Sequence, residues 1–238
     1  MASHIPAMTC TRSQRAPLSI VIPTLNEAER IVPALQTLAT LRQQGVDVTV
    51  VDGGSRDGTA LRAEALADRV ITAPQGRARQ MNAGAAAAAG EVLLFLHADT
   101  TLPPDALSAI GEALASGAGW GRFDVHIDGR SALFPLIATL MNARSRFSGI
   151  ATGDQAIFVQ RALFERVGGF PDQPLMEDIE LSRRLRQHGP PACLRERVVT
   201  SGRRWERHGV WRTVWLMWRL RLRYWLGTPA DELAKAYP

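Results

Sequence analysis

Short apolar runs alternate with longer amphipathic stretches through the first half of the chain. "LSIVIP" (18–23) is a β-branched apolar run closed by proline, which predicts a strand. "NEAERIVPALQTLATLRQQ" (26–44) has apolar positions at helical spacing behind an Asn of the capping type, which predicts one helix. "VDVTVVD" (46–52) is a second strand, and a helix is expected after the turn "SRDGT". "RVITA" (69–73) is a third strand, followed by a glycine-bounded, alanine-rich helix at 76–90. "EVLLFLHAD" (91–99) is a buried strand that ends in polar residues, and "PPDALSAIGEALAS" (103–116) opens a helix with proline. Four strand–helix units in succession predict a mostly parallel sheet covered on both faces, an α/β fold. After Gly117 the rhythm breaks. "GWGRFDVHID" (119–128) alternates apolar and polar residues and predicts an antiparallel strand.

Composition narrows the class. The two cysteines, Cys10 and Cys193, lie far apart among no other metal-ligand type, which argues for a reducing, cytoplasmic setting and against a disulfide scaffold. Residues 1–17 have no apolar core, so they are expected to be a flexible leader and not a secretory signal. No run approaches the roughly 18 consecutive apolar residues a membrane-spanning helix needs. The net charge of +5 is uneven. Nine arginines between Arg195 and Arg223 face only Glu196 and Glu206, so this end should meet an anionic partner.

Residues 206–238 form a basic, Trp-rich helical tail. Trp211, Trp215, Trp218, Leu222 and Trp225 fall at steps of three and four and share one helix face. Arg212, Arg219 and Arg223 lie beside that face, whereas Arg221 lies elsewhere on the helix. A tryptophan face edged by arginine suits a helix resting on the inner face of the cytoplasmic membrane. The alternative is a helix that packs its tryptophans on the domain. Nucleic acid is not expected, because the arginines alternate with large apolar residues and form no polar groove face.

The candidate chemistry sits at strand ends. In open α/β sheets ligands bind beyond the carboxyl ends of the strands. Thr24, Asn26 and Glu27 follow the first strand, Asp52 the second, and His97 and Asp99 the fourth. Neither a G-x-G-x-x-G fingerprint nor a Walker A lysine is present, so no glycine loop cradles phosphates. The remaining device is a divalent cation held by carboxylate and shared with a diphosphate, with Asp99 as its ligand. Arg77 and Arg79 open the alanine-rich helix and can add charge-assisted bonds to a nucleotide. Glu177, Asp178 and Glu180 fill the first turn of an amphipathic helix, where acids are favoured anyway, and Arg183, Arg184 and Arg186 follow at ion-pair spacing.

Four stretches in order resemble the family 2 glycosyltransferases, with the GT-A fold. They are "SIVIPTLNEAERI", "VVDGGSRDGT", "GRARQMNAGAAAAAGEVLLFLHADT" and "GDQAIFVQRALFERVGGFPD" with its following "MEDIELSRRL". The resemblance covers roughly residues 18–205. It implies a nucleotide-binding half at 18–116 and an acceptor half at 117–205. It further implies that Asp52 and Glu27 bind the base and ribose of a nucleotide-sugar donor. Asp99 would hold Mn2+ or Mg2+, and Asp178 would be the general base. Pro23, Thr24, Asn26, Gly53, Arg77, Arg79, Asn82, Ala98 and Glu177 complete the expected substrate contacts, with Gly153, Asp154 and Gln155 at the acceptor pocket. "SGRRW" resembles an Arg-Trp motif near the diphosphate, giving roles to Arg203, Arg204 and Trp205. His97 departs from the family's Asp-x-Asp pattern: it removes one negative charge and can ligate the metal or bond ribose. The expected activity is an inverting, metal-dependent transfer, UDP-linked, to an acceptor of unknown identity, with a lipid as one candidate. A nucleotidyltransferase of similar architecture and a non-catalytic membrane-surface protein are the alternatives.

Overall fold

The computed structural model describes residues 18–237, so the expected leader and Cys10 lie outside the described residues. The first half follows the alternation. Strand β1 is Leu18–Thr24, β2 Asp47–Asp52, β3 Arg69–Thr72 and β4 Val92–Phe95. They are interleaved with helices α1 (Ile31–Thr37), α2 (Ala39–Gln43), α3 (Thr59–Ala63) and α4 (Arg77–Ala87). Then come β5 (Thr100–Thr101), α5 (Ala106–Ala115), β6 (Trp120–Asp128), α6 (Phe134–Ser148), β7 (Ile157–Gln160), α7 (Arg161–Arg166), α8 (Glu177–Leu185) and β8 (Ala192–Ser201). Helices α9 (Arg203–His208), α10 (Val210–Trp225) and α11 (Ala230–Lys235) close the described chain.

One sheet runs in the order β3-β2-β1-β4-β7-β6-β8-β5. The pairs β3–β2, β2–β1 and β1–β4 are parallel, as the repeated strand–helix units require. Strand β7 runs antiparallel to both β4 and β6. The expected antiparallel character of β6 therefore holds at Trp120 and Gly121, but along the rest of its length it pairs parallel with β8.

Side chains alternate through the sheet. Ile20 and Ile22 of β1 join Leu35, Leu94 and Phe123 on one face, while Val21 joins Val51, Phe95 and Met81 on the other. Helix α4 lies close against β1 and β2 because residue 84 is glycine: a Cβ there would stand 2.3 Å from Val21 Cγ1 and 2.8 Å from Val51 Cγ2. Arg161 ties the end of α4 down by donating to the carbonyls of Ala85, Ala88 and Gly90 at 2.7–2.8 Å.

Two expectations at the first helix are corrected. The helix predicted over 26–44 begins only at Ile31 and is broken at Leu38 into α1 and α2. Pro33 explains the late start, because it has no N–H for the carbonyl four residues back and clashes with it, so it is tolerated only in a first turn. Asn26 is not a helix cap. Its backbone is left-handed (φ 54°), and its side-chain oxygen accepts the Arg56 N–H at 3.0 Å, stitching the β1 loop to the β2 loop.

The tail is part of the body. The boundary drawn at residue 205 falls inside α9. Leu220 of α10 and Leu233 of α11 are fully buried with Leu175 and Met176, the two residues that lead into α8. The segment 210–235 thus braces the loop that aims the first turn of α8.

Candidate active site

A cleft of about 570 Å3 opens beyond the carboxyl ends of β1 and β4. It gathers most of the sequence-predicted residues. Pro23, Thr24 and Glu27 come from the β1 loop, Arg77 from the start of α4, and His97, Ala98 and Asp99 from the segment after β4. Gly153 and Asp154 come from a single 3-10 turn, Glu177 and Asp178 from the start of α8, and Arg203, Arg204 and Trp205 from α9.

Six predicted residues do not line it. Asn26 is spent on the loop contact described above. Arg79 pairs with Asp172 at 2.7 Å. Asn82 exchanges two hydrogen bonds with the Phe170 backbone, at 2.8 and 3.0 Å. Helix geometry separates both from Arg77, since at about 100° per residue positions 79 and 82 point well away from position 77. Gln155 is fully buried, and its Oε1 accepts the Thr152 N–H in a capping box at the 3-10 turn. Gly53 lets the Gln80 amide approach, 3.1 Å from where its Cβ would be. Asp52 is buried behind the cleft wall, where its Oδ2 accepts the N–H groups of Gly54 and Ser55 at 2.9 and 2.8 Å. Its Oδ1 is buried with no partner among the described residues, an acceptor costly to leave unmade. Asp57 accepts the Thr59 N–H in its own turn and the Ala28 N–H from the β1 loop, a second stitch between the two loops.

Asp178 is the best-held carboxylate in the cleft. Its Oδ2 accepts the Gly153 N–H at 2.9 Å and its Oδ1 the Ile179 N–H at 2.7 Å. Gly153 can come this close because it lacks a side chain: a Cβ would stand 2.6 Å from the His97 ring. Met176, just before, takes a left-handed backbone (φ 66°) that a non-glycine residue adopts at a cost, and the packing of Leu220 and Leu233 holds it there.

The charges are arranged about Arg77. Burial pushes the Asp178 carboxyl up, against the pull of the two N–H groups and Arg77. Burial and the neighbouring Asp178 push Glu177, which is 5 % exposed, up to about 7. Asp154 goes the other way: burial raises it, but His97, Arg77 and Arg204 together hold it below the usual carboxylate range. His97 Nδ1 faces Asp154 Oδ1 at 3.5 Å, so the imidazole is turned to the 3-10 turn. Crowding by protein works against the Arg77 charge, but Tyr237, Glu177, Asp154 and Asp178 raise its pKa nonetheless.

Glu177 and Asp178 are adjacent buried acids whose carboxyls are both pushed up, and the charge on Asp178 is one of the causes for Glu177. In Asp178→Asn that like charge is gone, so the Glu177 carboxyl should fall from about 7, read by NMR pH titration. An unmoved Glu177 would show that burial alone holds it up.

Among the described residues no group of three or more His, Cys, Asp or Glu could hold a metal ion. Asp99 is the one carboxylate placed by the β4 end in the cleft, and it accepts from the Thr100 hydroxyl at 3.4 Å. That donor set suits a cation that completes its shell with diphosphate oxygens and water, not one caged by protein.

Sequence reasoning missed several cleft residues. Gln80 donates from Nε2 to the carbonyls of Thr24 and Val51, both at 2.8 Å, and so fixes the ends of β1 and β2 together. Helical periodicity could have found it, since positions 77, 80, 81 and 84 share one face. Arg144 of α6 does not line the cleft but lies within electrostatic reach of it: its Nη2 is buried and unpartnered, and burial lowers its pKa against the pull of Asp178 and Asp154. Tyr237 follows α11, and no spacing signals it; its ring lies 3.9 Å from the Arg204 guanidinium carbon and its hydroxyl accepts from Arg204. Arg207 and Arg221 also line the cleft.

The sheet order, the cleft at the strand ends and the carboxylates within it define a GT-A type fold. The description "Glycosyl transferase family 2" matches residues 19–164, more than half of the chain, and the chain belongs to that family. A probable glycosyltransferase of Bacillus subtilis, YdaM, is 26 % identical over 93 % of this chain and 57 % of its own length. The chain thus spans less than two thirds of that relative. Among solved structures, a Pyrobaculum calidifontis mannosyltransferase in complex with GDP-Man and Mn2+ has a TM-score of 0.60, with 24 % identity, covering 79 % of this chain and 57 % of that one. Glucosyl-3-phosphoglycerate synthase of Mycobacterium tuberculosis, in complex with Mn2+, UDP and glucosyl-3-phosphoglycerate, has a TM-score of 0.58 and 22 % identity, covering 84 % of this chain and 77 % of that one.

Proposed function

We propose that this chain transfers a glycosyl group from a nucleotide-sugar, UDP-linked by preference, to an acceptor hydroxyl with inversion. The observation that carries the reading is Asp178: a carboxylate with both oxygens anchored by backbone N–H groups, in one cleft with Asp99 and Arg204. Asp178 takes the acceptor proton as that oxygen forms its bond to the anomeric carbon. The bond from that carbon to the diphosphate breaks, and the nucleoside diphosphate leaves with the electron pair. Arg203 and Arg204 stand where they can offset the charge on the leaving group. Glu27, in the cleft, reaches the ribose; Asp52 lies outside the cleft lining, so its contact with the base requires its buried Oδ1 to be uncovered on binding. Asp99 would hold Mn2+ or Mg2+, which when bound supplies neutralisation of the departing diphosphate. Solved relatives in fold that carry Mn2+ with GDP-Man or UDP support this reading. Family membership favours consuming a nucleotide-sugar over making one. The test is turnover: release of UDP from a panel of UDP-sugars, with a GDP-sugar panel as the comparison. Release of neither nucleotide with any acceptor mixture would contradict the proposal.

The same proposal places the protein in the cytoplasm, with α10 against the inner face of the membrane. No helix among the described residues is long and apolar enough to cross one. Trp211, Trp215, Trp218 and Trp225 are 71, 63, 72 and 80 % exposed, which favours an interfacial role over packing on the domain. The guanidinium of Arg219 lies 5.3 Å from the Trp215 ring centre, so cation and aromatic ring are presented together. The protein should float with phosphatidylglycerol vesicles and not with phosphatidylcholine ones, and Trp218→Ser with Trp225→Ser should abolish flotation. Wild-type protein left at the bottom of the gradient with anionic vesicles would remove the membrane contact and leave the transferase reading intact.

A further inference from the structure

The cleft lining carries two kinds of charge. The strand ends, the 3-10 turn and the start of α8 supply Asp99, Asp154, Glu177 and Asp178. Helices α9 and α10 supply Arg203, Arg204, Arg207, His208 and Arg221. The acids have their cations already. Asp154 is held down by His97, Arg77 and Arg204, and Asp178 and Glu177 are eased by Arg77. Neither Arg207 nor Arg221 enters that balance.

Several arginines of this chain pair with carboxylates, among them Arg42 with Asp68, Arg79 with Asp172, Arg183 with Glu180 and Arg223 with Glu232; exposed ones such as Arg56, Arg195 and Arg212 face water instead. Among the described residues no carboxylate pairs with Arg207 or Arg221. A donor diphosphate does not account for them either. A divalent cation offsets most of its charge, and Arg203 and Arg204 are at hand for the remainder. Arg221 sharpens the point. It lies off the tryptophan face of α10 and lines the cleft, while Arg212 and Arg219 of the same helix are exposed. A cation of α10 in the cleft lining, with a second one in the same lining from α9, fits an anionic ligand group bound by two guanidinium forks.

We infer that the acceptor of the proposed transfer carries an anionic group, a phosphate or carboxylate, which Arg207 and Arg221 bind while its hydroxyl meets Asp178. The inference rests on the transferase reading above. It names an acceptor chemistry with two sources, a soluble phosphate ester or the headgroup of a lipid phosphate. An acceptor without an anionic group would leave the half-buried Arg221 with no charged partner in the cleft.

The test is made on protein saturated with UDP and Mn2+, so that the diphosphate site is filled. Glycerol 3-phosphate and glycerol are titrated in solution, and phosphatidylcholine vesicles with and without a polyprenyl phosphate are titrated in parallel. Glycerol 3-phosphate should bind if the acceptor is soluble, and the polyprenyl phosphate vesicles if it is a lipid; glycerol and plain vesicles should not. In Arg207→Gln/Arg221→Gln the anion affinity should fall at least about tenfold. Arg207→Gln alone, at an exposed position, should give part of that loss and guards against a misfolded double variant. Absence of binding by both phosphates, or binding undiminished in the variants, overturns the inference. The UDP affinity from the loading step reads the donor site separately: its failure sinks the transferase reading, whereas UDP binding without anion binding sinks only the acceptor assignment.

Discussion

Asp178→Asn is expected to lower kcat by about a thousandfold, the scale of a positioned general base. Asparagine keeps the size of the side chain, and its one oxygen can still accept an N–H from Gly153 or Ile179. What it loses is the capacity to take a proton. The loss should therefore appear in kcat, with nucleotide affinity little changed, because the base acts on the acceptor oxygen and not on the donor's grip. Glu177→Gln should cost far less, since the acceptor proton is assigned to Asp178 and Glu177 is itself pushed up to about 7 by burial and by Asp178. A kcat for Asp178→Asn within tenfold of wild type would move the proton acceptor to Asp154 or Glu177, the other acids of the cleft.

Asp99→Ala is expected to raise the Kd for nucleoside diphosphate in saturating Mn2+ by about a hundredfold, as a metal's electrostatic stabilisation is worth several kcal/mol. The argument is one of count. With no group of three ligating side chains among the described residues, Asp99 is the carboxylate through which an ion and a diphosphate would be joined to the protein. His97 does not stand in for it, because its Nδ1 faces Asp154 at 3.5 Å and its ring packs against Gly153. In metal-free buffer the same variant should bind nucleotide much as wild type does. Equal Mn2+ dependence in wild type and variant would place the cation elsewhere or remove it from the account.

The parallel half of the sheet was legible because each strand is an apolar run closed by proline, glycine or acid. Local pattern and final environment agree there, with both faces of β1 buried. The cleft was legible for a related reason: polar residues at adjacent strand ends have one edge of the sheet to share, and Thr24, His97 and Asp99 meet there. Reading failed where a single residue changes the geometry. Pro33 delays α1, and a left-handed Asn26 replaces a cap with a loop-to-loop bond. Arg79 and Asn82 were grouped with Arg77 by nearness in sequence, though helix rotation separates them and selects Gln80 instead. The tail was half legible. Its periodicity set the tryptophan face and put Arg221 off it, but the turn of Tyr237 onto Arg204 depends on Leu233 docking beside Leu220 and Met176, a contact no local pattern encodes.

Calorimetric titration of the wild-type chain with UDP, GDP and CDP, each with and without Mn2+, tests the central claim most directly. The account predicts that UDP binds in a Mn2+-dependent manner and more tightly than the other two. Binding of none of the three nucleotides, with or without the cation, would contradict it.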